Sequence, residues 1–224
     1  MVLPPLYSGT AELSWKRGNF LDLKRKHAVE RESSAQMDAC FALQITRFSL
    51  GGDFMKIPVI TFAAYSGVGK TTYLEKLLPC LKAAGVRVAV IKHDGHDFQM
   101  DKPGTDTCRL AEAGADTVAI VSGRKFALLE QRGLEVEEIV KRITDVDLIL
   151  TEGFKHGPYP KIALYRKDAE KPLAAEASEC LAIVTDTPIE APCRMFPLDD
   201  PQSLAAYLIS ALNLGKENRH VDNG

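Results

Sequence analysis

An α/β fold with a mostly parallel sheet and helices on both faces is what this sequence predicts, on three observations. Short apolar runs of strand length alternate with helix-period stretches over most of the chain. The runs are apolar almost throughout, as strands covered on both sides must be. The first run passes through a Gly-rich turn directly into an amphipathic helix, a β-loop-α beginning.

Taken in order, "IPVITFAA" is the first strand. "KTTYLEKLLPCLKAAG" is the first helix, with Leu74, Leu77, Leu78 and Leu81 on one stripe and Gly85 at the C′ position. Pro79 lacks a backbone donor and is expected to kink or loosen that helix. "VRVAVIKH" and "DTVAIVS" are further strands, separated by a short helix, "TDTCRLAEAG", that ends at Gly114. "LEVEEIVKRI" places Val136, Ile139, Val140 and Ile143 at helical spacing, and "VDLILTEG" is the next buried strand. "KIALYR" and "CLAIVT" follow as strands. The last helix, "PQSLAAYLISALNL", carries Leu204, Tyr207, Leu208, Ala211 and Leu212 on one face.

With 224 residues, 46% of them hydrophobic, the chain can fill one core and carry an extension. Residues 55–214 are assigned to that domain and 215–224 to a C-terminal tail. Residues 1–54 sustain neither helical nor strand period and are read as an N-terminal extension, either disordered or a gene-model artefact. The second alternative has translation starting at Met55, just before the first core strand; an intact N-terminal peptide found by mass spectrometry in native extract would sink it.

A net charge of -2 provides no global attraction to nucleic acid or to acidic membranes, so any anion must be bound locally. No stretch approaches the roughly 18 apolar residues of a membrane span, and no basic segment with an apolar run opens the chain. The five cysteines are widely spaced, odd in number and without C-x-x-C, which fits a reducing cytoplasm better than a disulfide framework or a zinc site. The expectation is a cytoplasmic protein with neither nucleic acid nor membrane as partner.

The Gly-rich turn carries the chemistry. "AYSGVGKT" meets the phosphate-loop pattern G-x-x-x-x-G-K-[ST] except that Ala64 stands at its first glycine, so a P-loop NTPase-like fold is expected. Gly67 and Gly69 let the N–H groups of a loop that includes Val68 converge on phosphate oxygens, and the helix opening at Lys70 adds its positive end. Lys70 should reach the β- and γ-phosphates, Thr71 should ligate magnesium and Thr72 is placed at the α-phosphate. A Gly-rich turn that merely caps a helix is the plainer alternative; the strand before and amphipathic helix after weigh against it.

Magnesium needs an acidic partner on another strand. Glu152 and Asp147 compete on "VDLILTEG", and the strand-terminal position favours Glu152, because ligands gather at the carboxyl ends of parallel strands. The segment "KHDGHDFQMDKPGTDTCR" is unusually polar. His93, Asp94, His96, Asp97 and Asp101 read as a switch segment facing phosphate and magnesium or, less simply, as a transition-metal cluster. Asp94, directly after the strand, is the preferred acid, with Glu152 the second catalytic carboxylate. Arg109 and Arg124 read as surface residues or as extra charge toward phosphate, without standing as an arginine finger.

"AAYSGVGKTT", "IKHDGHDFQMDKPGTDTCRLAEAGA" and "DLILTEGFKHGPYPKIALYR" together resemble the molybdopterin-guanine dinucleotide biosynthesis adapter (MobB) family, over roughly residues 57 to 212. Ala64 agrees with that family's pattern. The resemblance implies a GTP-binding protein that assists a separate guanylyltransferase in attaching GMP to the molybdenum cofactor. It implies a homodimer, weak intrinsic GTPase activity, and GTP with Mg2+ at Gly67, Val68, Gly69, Lys70, Thr71, Thr72 and Glu152. Molybdopterin, or the molybdenum cofactor, becomes a further ligand, and other cofactor-biosynthesis proteins become further partners.

Read physically, "EGFKHGPYPK" places Lys155, His156 and Lys161 past a strand end, where they are expected to hold a second anion such as a pterin phosphate; a stiff Pro-containing turn with solvated lysines is the competing reading. No N-K-x-D is present for guanine. Asp186, after the strand "CLAIVT", is assigned as acceptor for guanine N1 and N2 or, as plausibly, as the cap of a turn. Two other functions fit the same loop. A small-molecule kinase would need an Arg-rich lid, for which "SGRKFALLEQR" is the nearest stretch. A GTPase metallochaperone would need His93 and His96 to bind metal.

Overall fold

A computed structural model describes residues 57–215. The proposed extension 1–54, the start at Met55 and the tail beyond Gly215 lie outside the described residues.

Six strands form one sheet: β1 (Val59–Ala63), β2 (Val88–Lys92), β5 (Leu148–Glu152), β6 (Lys161–Tyr165), β7 (Cys180–Thr185) and β8 (Arg194–Pro197), in the order β2-β5-β1-β6-β7-β8. Every neighbouring pair is parallel. The sheet is therefore wholly parallel and covered on both faces, with β1, β5 and β7 buried at every position and β6 at all but its ends.

Alternation along the strands divides the core. Ile60 and Phe62 of β1 with Leu148 and Leu150 of β5 face one side, packed with Leu74, Leu77 and Leu81 of α1 (Lys70–Ala83) and Leu204 and Leu208 of α4 (Pro201–Ala211). Val59 and Ile149 face the other, against Val136 and Val140 of α3 (Val136–Arg142). Between β1 and β5 the hydroxyls of Thr61 and Thr151 bond to each other at 2.8 Å, which removes the cost of burying two polar groups on central strands.

The helix ends follow the sequence. At the end of α1 the N–H of Gly85, at φ 79°, donates to Lys82 O and that of Val86 to Leu81 O. The short helix α2 (Asp106–Glu112) ends the same way at Gly114, and α4 at Asn213. The expected kink does not interrupt α1, which runs from Lys70 to Ala83 with Pro79 inside. Pro79 and Glu75 both lie on the exposed side, so water can reach the carbonyl that Pro79 leaves without a donor.

One strand is not where the alternation alone would put it. "DTVAIVS" yields β3 (Thr117–Val121), which leaves the parallel sheet and pairs antiparallel with β4 (Phe126–Glu130) in a separate two-stranded ribbon. Its partner comes from the stretch considered above for a kinase lid. A four-residue connection, 122–125, is long enough for a hairpin and too short for a parallel crossover, and Ser122 organises it by accepting from the N–H groups of Arg124 and Lys125.

Candidate functional site

The sheet order places β1 between β5 and β6, so the loop leaving β1 opens at the crevice where successive connections diverge. Val68, 3% exposed, anchors this loop in the core. Gly67 at φ 82° and Gly69 at φ 102° turn its backbone through the left-handed region. Gly69 caps α1 without a side-chain acceptor, and the first turn of α1 holds no acidic residue. The amides of Lys70, Thr71 and Thr72 thus present an unbalanced positive helix end to whatever occupies the loop.

Lys70 folds back over the loop, donating from Nζ to Ala64 O at 2.8 Å and Tyr65 O at 3.2 Å. Burial holds its ammonium below the ordinary lysine range; the Glu152 carboxylate opposes this, while Lys155, Lys171 and Lys92 push the same way as burial. Thr71 donates from Oγ1 to Glu152 Oε1 at 2.7 Å, across from the end of β5. Glu152 is 8% exposed, in register with Phe62 of β1 and with Lys92 of β2. Asp147, the competing carboxylate, lies before β5 and is bound to Arg87, at 2.7 Å from its N and 3.1 Å from its Nη2.

The loop after β2 touches the site through its backbone. His93 N donates to Glu152 O at 2.8 Å, and the His93 ring rests 4.7 Å from that of Phe154. Gly153, at φ 107°, is tightly enclosed: a Cβ there would lie 2.8 Å from His93 Cβ. Asp94 is exposed, with Oδ1 accepting from His96 N, and no described contact brings it to Thr71 or Glu152. Asp101 shapes the turn instead. Its Oδ1 accepts from Lys102 N and Thr105 Oγ1, and the hydroxyls of Thr107 and Thr105 hold its carboxyl below the usual range. Among the described residues no three His, Cys, Asp or Glu side chains gather as metal ligands, so His93 and His96 have no cluster to join. Arg109 pairs with Asp106 on α2, and Arg124 lies in the hairpin turn.

Lys155 lies beside the phosphate loop, its Nζ 4.5 Å from the Tyr65 ring centroid. His156 is exposed. Lys161 requires a correction: it opens β6, level with Thr61 of β1, and pairs with Glu179 at 3.7 Å instead of joining Lys155. The reason is topological. A connection between parallel strands must return from the carboxyl end of one to the amino end of the next, so 153–160 leaves the crevice before Lys161 is reached. Asp186 does stand at the carboxyl end of β7, where its Oδ1 accepts from Lys167 N at 3.0 Å and its Oδ2 lies 3.9 Å from Arg166 Nε.

Two basic residues at the loop escaped the sequence reading. Lys171 donates from Nζ to Ser66 O at 3.0 Å, and Arg166 Nη1 would be 3.9 Å from a Cβ on Gly69. Arg166 had a signal, since it directly follows a strand at its carboxyl end. Lys171 had none.

The wholly parallel sheet, the glycine-turned loop and the Lys70, Thr71 and Glu152 arrangement define a nucleotide-binding protein of P-loop NTPase-like fold. The family described as molybdopterin guanine dinucleotide synthesis protein B (MobB) matches residues 59–186, and the chain belongs to it. The molybdopterin-guanine dinucleotide biosynthesis adapter protein of Escherichia coli (strain K12) is 37% identical over 161 residues, covering 68% of this chain and 92% of that one. That of Haemophilus influenzae is 40% identical over 139 residues, 60% of this chain and 78% of its own. The crystal structure of Bacillus subtilis MobB superposes with a TM-score of 0.58 at 26% identity, covering 69% of this chain and 98% of that one.

Proposed function

We propose that this protein is a GTP-binding adapter in molybdopterin guanine dinucleotide biosynthesis, assisting a guanylyltransferase in joining GMP to the molybdenum cofactor and turning GTP over slowly. The adapter role follows from the family. Nucleotide binding is carried by one observation: Lys70, Thr71 and Glu152 converge at the loop between β1 and α1, beside unpaired helix amides.

The residues fit the groups they would hold. Lys70 is already within reach of the loop's inner face and meets phosphate oxygens as a point charge. Thr71 and Glu152 provide hydroxyl and carboxylate oxygens, the donor set that magnesium prefers, with Glu152 acting through water. Magnesium supplies neutralisation of phosphate charge. Gly67, Val68, Gly69 and Thr72 contribute loop and helix amides, and Asp186 has acceptor capacity beyond the Lys167 N–H for a guanine edge. Glu152 and Asp94 are the carboxylates assigned to hydrolysis. Asp94 lies exposed in its own turn, which agrees with slow turnover. Lys155 is assigned to a second anion, a molybdopterin phosphate, next to Tyr65.

The homodimer is assigned to the β3–β4 ribbon and its surroundings. Val121 at 77%, Phe126 at 64% and Leu128 at 47% exposure share one face of the two-stranded ribbon, with Ile120 on the other, and such an element needs packing to persist in water. A second copy of the chain is the occupant assigned to that surface, and light scattering of the wild type and a Val121→Lys, Phe126→Lys variant tests it. No helix among the described residues is long and apolar enough to cross a membrane, and their four cysteines are all unpaired, which supports the cytoplasmic assignment.

The deciding experiment is calorimetric binding of GTP and ATP with magnesium, with phosphate release followed in parallel and Lys70→Ala as control. Selective GTP binding with very slow release supports the adapter reading; ATP preference, or fast turnover with a small acceptor, transfers support to a kinase.

A further inference from the structure

The segment after β6 closes over the phosphate loop at two points. Arg166 brings Nη1 to 3.9 Å from where a Gly69 Cβ would stand, and Lys171 bonds Ser66 O at 3.0 Å. Between them lies the 3-10 turn Lys167–Ala169. Asp186, on the neighbouring strand end, ties down the start of this segment: it accepts from Lys167 N at 3.0 Å and faces Arg166 Nε at 3.9 Å. Arg166 and Asp186 side chains are 48% and 30% exposed, so their long, solvent-screened ion pair steers the guanidinium more than it stabilises the fold.

We propose that Arg166 is a nucleotide contact: its guanidinium meets the polyphosphate of the bound nucleoside polyphosphate over Gly69, with Asp186 as the positioning residue that aims it. The inference rests on the nucleotide reading above and extends it to a residue outside the loop pattern. Three features lead to it.

The guanidinium lies beside Gly69, with Nη1 at ordinary contact distance, 3.9 Å, from where a Cβ on that glycine would stand, while nothing comes within 4 Å of a Cβ on Gly67. A planar fork of N–H donors matches phosphate oxygens, and among the described residues Arg166 has no shorter side-chain bond competing for it than the 3.9 Å approach to Asp186. Charge around Lys70 is also out of balance, with Lys155, Lys171 and Lys92 acting on it against the Glu152 carboxylate, a surplus that a polyanion neutralises. Lys171, by holding Ser66, keeps the segment that bears Arg166 against the loop.

The test is calorimetric titration of GTP and GDP, with magnesium, into the full chain and its Arg166→Ala and Arg166→Lys variants at low and high ionic strength. Thermal melts of the ligand-free proteins accompany it. The expected result is an affinity loss on the order of tenfold for both nucleotides in Arg166→Ala, one charge-assisted contact. Arg166→Lys keeps the charge without the fork and should lose less. The Arg166→Ala loss should shrink at high salt, with the ligand-free Tm of both variants unchanged. Asp186→Asn should also weaken binding, and part of its effect should vanish in the Arg166→Ala background. Unchanged affinity in Arg166→Ala, or a lowered Tm with affinity intact, overturns the inference and leaves nucleotide binding standing. Failure of the unaltered chain to bind either nucleotide overturns both.

Discussion

The phosphate loop and the β3–β4 ribbon are made from similar material, short apolar strands joined by Gly-containing turns, yet they end in opposite states. Around the loop, Phe62 is fully buried, Val68 is 3% exposed and the Lys70 and Thr71 side chains both have bonded partners. In the ribbon, Val121 and Phe126 stay 77% and 64% exposed, and the strands pair only with each other among the described residues. The difference shows where this chain satisfies itself. The parallel sheet completes its own core with α1, α3 and α4, whereas in the ribbon Val118 is buried but Val121, Phe126 and Leu128 of the opposite face stay exposed.

Substitutions can break that contrast. Leu77→Ala, at a fully buried position on the core face of the loop helix α1, should cost about 3 kcal/mol in urea unfolding, from lost burial plus the cavity left behind. Lys70→Ala should weaken GTP binding by about 2 kcal/mol, roughly thirtyfold, in calorimetry, as loss of a hydrogen-bonded charge does. Gly153→Ala puts a methyl 2.8 Å from His93 Cβ at φ 107° and should cost about 2 kcal/mol, while also displacing the loop after β2, visible as changed amide exchange at His93.

Thr61→Val leaves the Thr151 hydroxyl buried without a partner and should cost about 1 to 2 kcal/mol; the double Thr61→Val, Thr151→Val variant should recover most of it. At the small end, Leu128→Ala in the ribbon should change monomer stability by less than about 0.5 kcal/mol. A cost there equal to that of Leu77→Ala would show that the ribbon is packed in solution and would sharpen the case for a second copy covering it.

Much of this architecture was legible in advance. The strand runs, the C′ glycines Gly85 and Gly114 and the helical faces of α1, α3 and α4 are local patterns, each set by a period or a backbone angle that one residue type provides. The ribbon was not legible, because "DTVAIVS" has the composition of a sheet strand and only its four-residue link to Phe126 distinguishes a hairpin from a crossover. Residues of the site divide along the same line. The loop of Gly67, Gly69, Lys70 and Thr71 is contiguous and readable. Lys161 and Lys171 show the opposite: one looked close to Lys155 in sequence and is carried away by the return to the start of β6, the other looked distant and reaches Ser66.

By itself, then, the sequence determined the class of fold, the phosphate loop and the acid at the end of β5, since each depends on residues within a few positions of one another and on the rule that parallel strands gather their ligands at carboxyl ends. Only the tertiary structure decided that Asp147 pairs with Arg87 and that Asp186 holds Arg166 toward Gly69. Those pairings join side chains far apart in the chain, and their distances are set by strand order and register, which no local pattern encodes.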